Sequence, residues 1–133
     1  MTATLPSTPA LTKGRLVAYW ATTGLVALAF VAGGVFDLML APEVAAGMES
    51  LGYPLYVASI LGVWKLLGAA ALLAPRMPLI KEWAYAGIAF DLTGAAASHA
   101  FVGDPIANVA TPLVLLGVAA ASYLLRPDTR RLR

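Results

Sequence analysis

LYVASILGVWKLLGAAALLA, residues 55–74, is apolar at nearly every position and carries a single charge, Lys65. Twenty residues at 1.5 Å each span the ~30 Å hydrocarbon core of a bilayer. A water-soluble helix of this length shows a polar face, and this stretch has none. The chain around it agrees. Of 133 residues 60% are hydrophobic and only 12% charged, against about 25% charged in soluble domains, and the mean hydropathy is +0.80. The solvent that suits this composition is lipid.

The remaining segments supply three more spans. Residues 16–36 form a run without any charge. Residues 79–101 follow the tight turn Pro75-Arg76-Met77-Pro78, and residues 105–125 follow Asp104, which suits a helix N-cap. A last helix starting only at Thr111-Pro112 would be about 21 Å long and too short to cross, so Pro112 is expected inside the helix as a kink. Between the first two spans, Pro42 suits a first helical position and Gly52 a left-handed C-terminal position. Val44, Met48 and Leu51 then share one face of a short helix, with Glu43 and Glu49 turned away, as on a membrane surface. The expected fold is an all-α membrane protein: a four-transmembrane-helix bundle with a short outer amphipathic helix between helices 1 and 2. Residues 1–12 are Thr/Ser/Pro-rich and read as a disordered tail. The charges Lys13 and Arg15 come too late, and the following apolar run is too long, for a signal peptide. Residues 13–126 are the membrane domain and 127–133 a basic tail.

Basic residues set the orientation. Lys13, Arg15, Arg76, Lys81, Arg126, Arg130, Arg131 and Arg133 all fall on one side of a four-span chain, and the opposite loops hold only Glu43, Glu49 and Asp104. By the positive-inside rule both termini are cytoplasmic. Tyr19, Trp20, Trp83, Tyr85 and Tyr123 are expected at the inner interface, Tyr53 and Tyr56 at the outer one.

Lys65 and Asp91 are the charges that lie deep. Ala58, Gly62, Lys65 and Ala69 share one seam of their helix, and Gly87, Asp91, Gly94 and Ser98 repeat that spacing in the next. Thr22, Val26, Ala29 and Gly33 in the first span and Gly117 with Ala121 in the fourth offer similar seams. Lys65 and Asp91 each stand about ten residues, roughly 15 Å, from a helix end. A lone charge there costs roughly 2.5–3.5 kcal/mol, so a Lys65–Asp91 contact, direct or through water, is expected. The pair is either a device that sets helix register or a polar site or proton relay; the residues leave both open. Asp37, His99, Asp104 and Asn108 gather at the outer end as a mouth leading inward or as solvated helix ends. Trp64, beside Lys65, is too deep for an interfacial belt and is either core packing or the wall of a flat-ligand site. Glu82 reads as a surface-paired carboxylate at a helix N-terminus.

The chain has no cysteine. Intrachain disulfides, thiol relays, thiolate metal sites and cysteine-ligated iron–sulfur clusters are excluded. His99, the single histidine, cannot supply both axial ligands of a haem and is a weak metal signal. Basic residues form no broad patch for nucleic acid. No phosphate-binding loop, HExxH or nucleophile elbow occurs, so an enzyme complete in itself is not expected.

Gly33-Gly34 with Asp37, LGYP at 51–54, GVWKLLGA at 62–69, APR at 74–76, KEWAYAG at 81–87, Phe90, SHA at 98–100, GD at 103–104 and RP at 126–127 together resemble the DoxX-like family. The resemblance runs from about Gly14 to Asp128. It implies a four-helix membrane bundle in a bacterial-type inner membrane and a link to quinone-dependent sulfur oxidation or redox-stress complexes, with no catalytic residues to carry over. Three functions fit. One is a membrane subunit that docks a redox protein to the quinone pool or holds a quinone or lipid-like ligand near Trp64, Lys65, Asp91 and His99. Another is a transporter or proton-conducting module gated by Lys65 and Asp91. The third is a scaffold or assembly factor whose small-residue faces bind partner helices or a second copy of the chain.

Overall fold

The computed structural model describes residues 12–132, so residues 1–11 and 133, and the expectation of a disordered N-terminal tail, lie outside it apart from Thr12. Five α-helices follow one another: α1 Lys13–Leu38, α2 Pro42–Leu51, α3 Tyr56–Leu73, α4 Pro78–Phe101 and α5 Ile106–Leu124, then one 3-10 turn, Asp128–Arg130. Helix α1 starts three residues before the uncharged run because Thr12 caps it, its hydroxyl accepting from the Arg15 amide at 3.2 Å. Pro42 opens α2, and Gly52 ends it with φ +80°, where a side chain would be strained. Val44, Met48 and Leu51 are half-buried and Glu43 and Glu49 exposed. Pro112 lies inside α5, as its length demanded.

Helices α1, α3 and α5 are long and apolar enough to cross a membrane. Helix α4, of 24 residues, is longer than α3 but carries Lys81, Glu82 and Asp91. The four long helices pack in a closed ring, α1 against α3 and α5, and α4 against the same two. One end of the bundle, here the terminal end, carries Lys13, the 74–77 turn and Leu124; the other, the loop end, carries residues 39–55 and 102–105.

The tightest contact joins α1 to α3. A Cβ on Gly62 would stand 2.9 Å from the Gly34 carbonyl oxygen and 2.8 Å from Leu38 Cγ, so backbone meets backbone there and only glycine fits. The α3 seam is buried as expected at Ala58, Gly62 and Ala69, with Lys65 half-buried. The other seams are turned. In α4 the buried residues are Lys81, Tyr85, Ile88, Leu92 and Ala96, whereas Gly87 and Gly94 are exposed and Asp91 and Ser98 half-buried. In α1, Thr23, Val26, Ala27, Phe30, Gly34 and Asp37 are buried and Thr22, Ala29 and Gly33 only partly; in α5, Ala119 and Ser122 replace Gly117 and Ala121. Large side chains gain more contact by filling the centre than small ones do by lining it. Val26, Phe30, Leu72, Tyr85, Ile88 and Leu92 make that core.

Two tyrosines expected at an interface belong to it. Tyr85 donates or accepts at Ser122 Oγ, 2.7 Å away, and Ser122 also meets Thr23 at 2.6 Å. This is a buried hydroxyl chain across α1, α4 and α5. Tyr19 is 1% exposed and its hydroxyl has no partner among the described residues.

Cations close the terminal end. The last carbonyls of α3 have no intrahelical donor. Lys81 donates to the Ala71 oxygen at 2.9 Å and to that of Ala74, and Arg130 donates to the Leu72 oxygen at 2.9 Å. Arg15 and Arg131 donate to the Leu124 oxygen at the end of α5. Positive charge at these helix C-termini also complements their dipoles. Glu82 takes Arg126 at 2.7 Å and the Tyr123 hydroxyl at 2.9 Å, rather than Lys81 or Arg76, because α5 delivers Arg126 beside it.

Candidate functional site

A groove of about 520 Å³ opens between α3 and α4. Leu61, Trp64, Lys65, Leu67, Gly68 and Ala71 line it from α3, Ile80, Trp83, Ala84, Gly87, Ile88, Phe90 and Asp91 from α4, and Phe30 of α1 forms its floor. Two features of the sequence make it. Gly68 and Gly87 present no side chain, and a Cβ on either would meet nothing within 4 Å. The α4 stripe of small residues faces this side, so the two helices are not wedged together by large groups. Trp64, Trp83 and Phe90 stand 66%, 69% and 77% exposed along the walls. At that exposure Trp64 is not packed in the core, and it lines the groove. The sequence places Trp83 at an interfacial belt and gives Ile80, Gly68 and Phe90 no ligand role. Their exposure depends on how far α3 and α4 stand apart, which spacing along the chain does not encode.

The polar end of the groove holds Lys65 and Asp91, but they are not each other's ion pair. The Lys65 ammonium donates to Asp37 Oδ2 at 2.8 Å. The expectation of a direct Lys65–Asp91 contact is corrected here, and side-chain direction is the reason. Their backbones stand at similar depth: Lys65 is nine residues from the start of α3 and Asp91 ten from the end of α4. A helical side chain tilts toward its own N-terminus. Helix α3 begins at the loop end and α4 at the terminal end, so Lys65 leans toward the loop end and Asp91 away from it. Asp37, in the last turn of α1, meets the ammonium there, and Gly33 lies alongside the Lys65 side chain, where a Cβ would make an ordinary contact at 3.8 Å. The side chains of Lys65 and Asp37 are 21% and 9% exposed. Asp91 is half-buried and belongs to none of the three ion pairs among the described residues.

Of the four residues expected together at the outer end, His99 and Asp104 do meet, while Asp37 and Asn108 join neither of them. Asp37 goes to Lys65. His99 Nδ1 lies 2.6 Å from Asp104 Oδ2, which takes that carboxylate from the N-cap role expected of it; Pro105 holds the cap position without a side-chain bond. Asn108 is exposed on the first turn of α5. Tyr53 meets Ser98 at 2.7 Å and ties the segment before α3 to the end of α4. Among the described residues no group of three or more His, Asp or Glu comes together to hold a metal.

A second hollow of about 390 Å³ lies between α4 and α5, lined by Ala86, Ala89, Leu116 and Ala120 with Glu82 at its edge. Glu82 is already taken by Arg126 and Tyr123. The α3–α4 groove differs in offering a carboxylate, Asp91, that pairs with no cation among the described residues. A concave apolar surface with few polar groups at one end is the ordinary form of a small-molecule site.

The family model described as the DoxX-like family matches residues 21–122. No curated protein and no solved structure matches the chain. Three helices apolar enough to cross a bilayer, together with this match, make the chain an integral membrane protein whose exposed apolar side chains, such as Leu28, Ile60 and Val114, meet lipid.

Proposed function

Since this chain belongs to the DoxX-like family, we propose that it is a non-catalytic membrane module that holds a flat, lipid-soluble ligand of the quinone class in the α3–α4 groove and links a redox partner to that ligand. The observation that carries this reading is the groove itself: about 520 Å³, walled by Trp64, Trp83 and Phe90 and ending on Lys65 and Asp91. The volume lies within the range of drug-sized ligand sites. Aromatic faces stack on a planar ring; an ammonium donates to quinone carbonyl oxygens, and a carboxylate accepts from the hydroxyls of the reduced quinol form.

The reading places α4 in the bilayer as a fourth span. Its 24 residues are about 36 Å long, Lys81 and Glu82 stand near its end with partners, and Asp91 faces the groove. The terminal end, with its cluster of Lys and Arg, then faces the cytoplasm, and α2 lies on the outer surface.

Native mass spectrometry of the protein extracted in mild detergent tests the proposal. A quinone retained by the parent and lost in Gly87→Leu, which fills the groove, supports it; protein partners alone would favour a scaffold. A second reading draws on the Lys65–Asp37 pair at membrane depth, since intramembrane ionisable groups mark ion and proton paths. Proton flux in proteoliposomes that disappears in Asp37→Asn would favour a conducting module instead.

A further inference from the structure

We infer that the α3–α4 groove also accepts a lipophilic cation and discriminates against an anion of the same shape, with Asp91 as the cation's counter-ion. The inference rests on the groove being a ligand site, and not on the ligand being a quinone. Charge counting is the first argument. One ammonium, Lys65, and two carboxylates, Asp37 and Asp91, meet where three helices surround the polar end, and the ammonium is committed to Asp37 at 2.8 Å. Among the described residues Asp91 remains without an ion pair. A carboxylate at such depth without a counter-charge is costly, and a bound cation removes that cost where a neutral ring does not. An anion would add a third negative group to a site whose only positive one is occupied.

The walls are the second argument. Trp64, Trp83 and Phe90 present exposed ring surface to the groove, with Phe30 beneath. Aromatic faces attract cations, and the attraction strengthens where water is scarce. A bulky organic cation gains from the walls and from Asp91 together, and the open side toward lipid admits it laterally.

The test uses two ions of one shape and opposite charge, tetraphenylphosphonium and tetraphenylborate, titrated separately by calorimetry into the full chain in phosphatidylcholine nanodiscs, with the heats of empty discs subtracted. Decylubiquinone is run in parallel as a neutral planar probe. Saturable phosphonium binding that weakens at least tenfold in Asp91→Asn, with borate binding no tighter in protein-loaded than in empty discs, is the expected result. Phosphonium binding unchanged in Asp91→Asn, or borate bound as tightly as phosphonium, overturns the inference. If Asp91→Asn does not fold, the comparison of the two ions on the parent chain decides alone. Decylubiquinone bound with no phosphonium binding sinks the cation preference and spares the groove as a site. Binding of neither probe removes both.

Discussion

Replacing Lys65 by Met is expected to destabilise the bundle more than replacing Asp37 by Asn, although the two form one ion pair. Lys65→Met strands Asp37, whose side chain is 9% exposed, and also removes the nearest ammonium from the groove that holds Asp91. Breaking a buried pair from one side costs about 3–5 kcal/mol, far above the ~0–1 kcal/mol of surface pairs, and burial here places the site near the first regime. Asp37→Asn is milder. The amide oxygen still accepts from the ammonium, and Asp91 remains as a second negative group, so the loss is that of charge assistance, about 1–2 kcal/mol. Lys65→Met with Asp37→Leu removes both charges and should recover much of the single-mutant cost. The assay is equilibrium unfolding in mixed micelles of rising dodecyl sulfate content, followed by helicity, arranged as two double-mutant cycles. The Lys65/Asp37 cycle should show a coupling of about 2 kcal/mol and the Lys65/Asp91 cycle less than half of it. A larger coupling to Asp91 than to Asp37 would refute the assignment of partners and the side-chain-direction argument behind it.

Gly62→Ala should cost about 1–3 kcal/mol by forcing α1 and α3 apart, since its Cβ would lie 2.9 Å from a backbone oxygen, whereas Gly24→Ala, with open space around it, should be neutral or up to about 1 kcal/mol stabilising; thermal unfolding in detergent compares them. Lys81→Met and Arg130→Ala each uncap carbonyls at the end of α3 and should cost about 1–3 kcal/mol, with hydrogen exchange accelerated in residues 70–74 before the rest of the bundle. Cysteines placed at Ala46 and Ala107 should label from outside intact cells and those at Met77 and Thr129 only after permeabilisation; the opposite pattern reverses the orientation.

Much of the fold is local and was therefore legible in the residue order. Each long helix lies within about three residues of an apolar run, because hydropathy and breaking residues act over one or two turns. Pro42, Gly52 and Pro112 occupy the roles their backbone chemistry allows, and the α3 seam through Ala58, Gly62 and Ala69 is buried as its spacing required. The family was readable too, from short strings such as GVWKLLGA spread along the chain. The sequence also picked out Lys65 and Asp91 as charges that a membrane core does not hold without cause.

Partnership was not legible, because it depends on which helices are neighbours and which way their side chains lean. Lys65 and Asp91 match in backbone depth but sit on helices of opposite direction, so their side chains diverge and Asp37 takes the ammonium. Small-residue stripes in α1 and α4 looked like the interior, yet adjacent stripes with larger residues such as Phe30, Tyr85 and Ile88 fill it better, and in α5 Ala119 and Ser122 face inward in place of Gly117 and Ala121; only packing in three dimensions weighs one stripe against the other. Arg130 read as part of a basic tail; the folded chain buries it against the carbonyl of Leu72. The groove belongs wholly to this second kind of information. It is a gap between α3 and α4, made by the absence of side chains at Gly68 and Gly87 and by the separation of two helices, and neither an absence nor a separation has a signature in the order of residues.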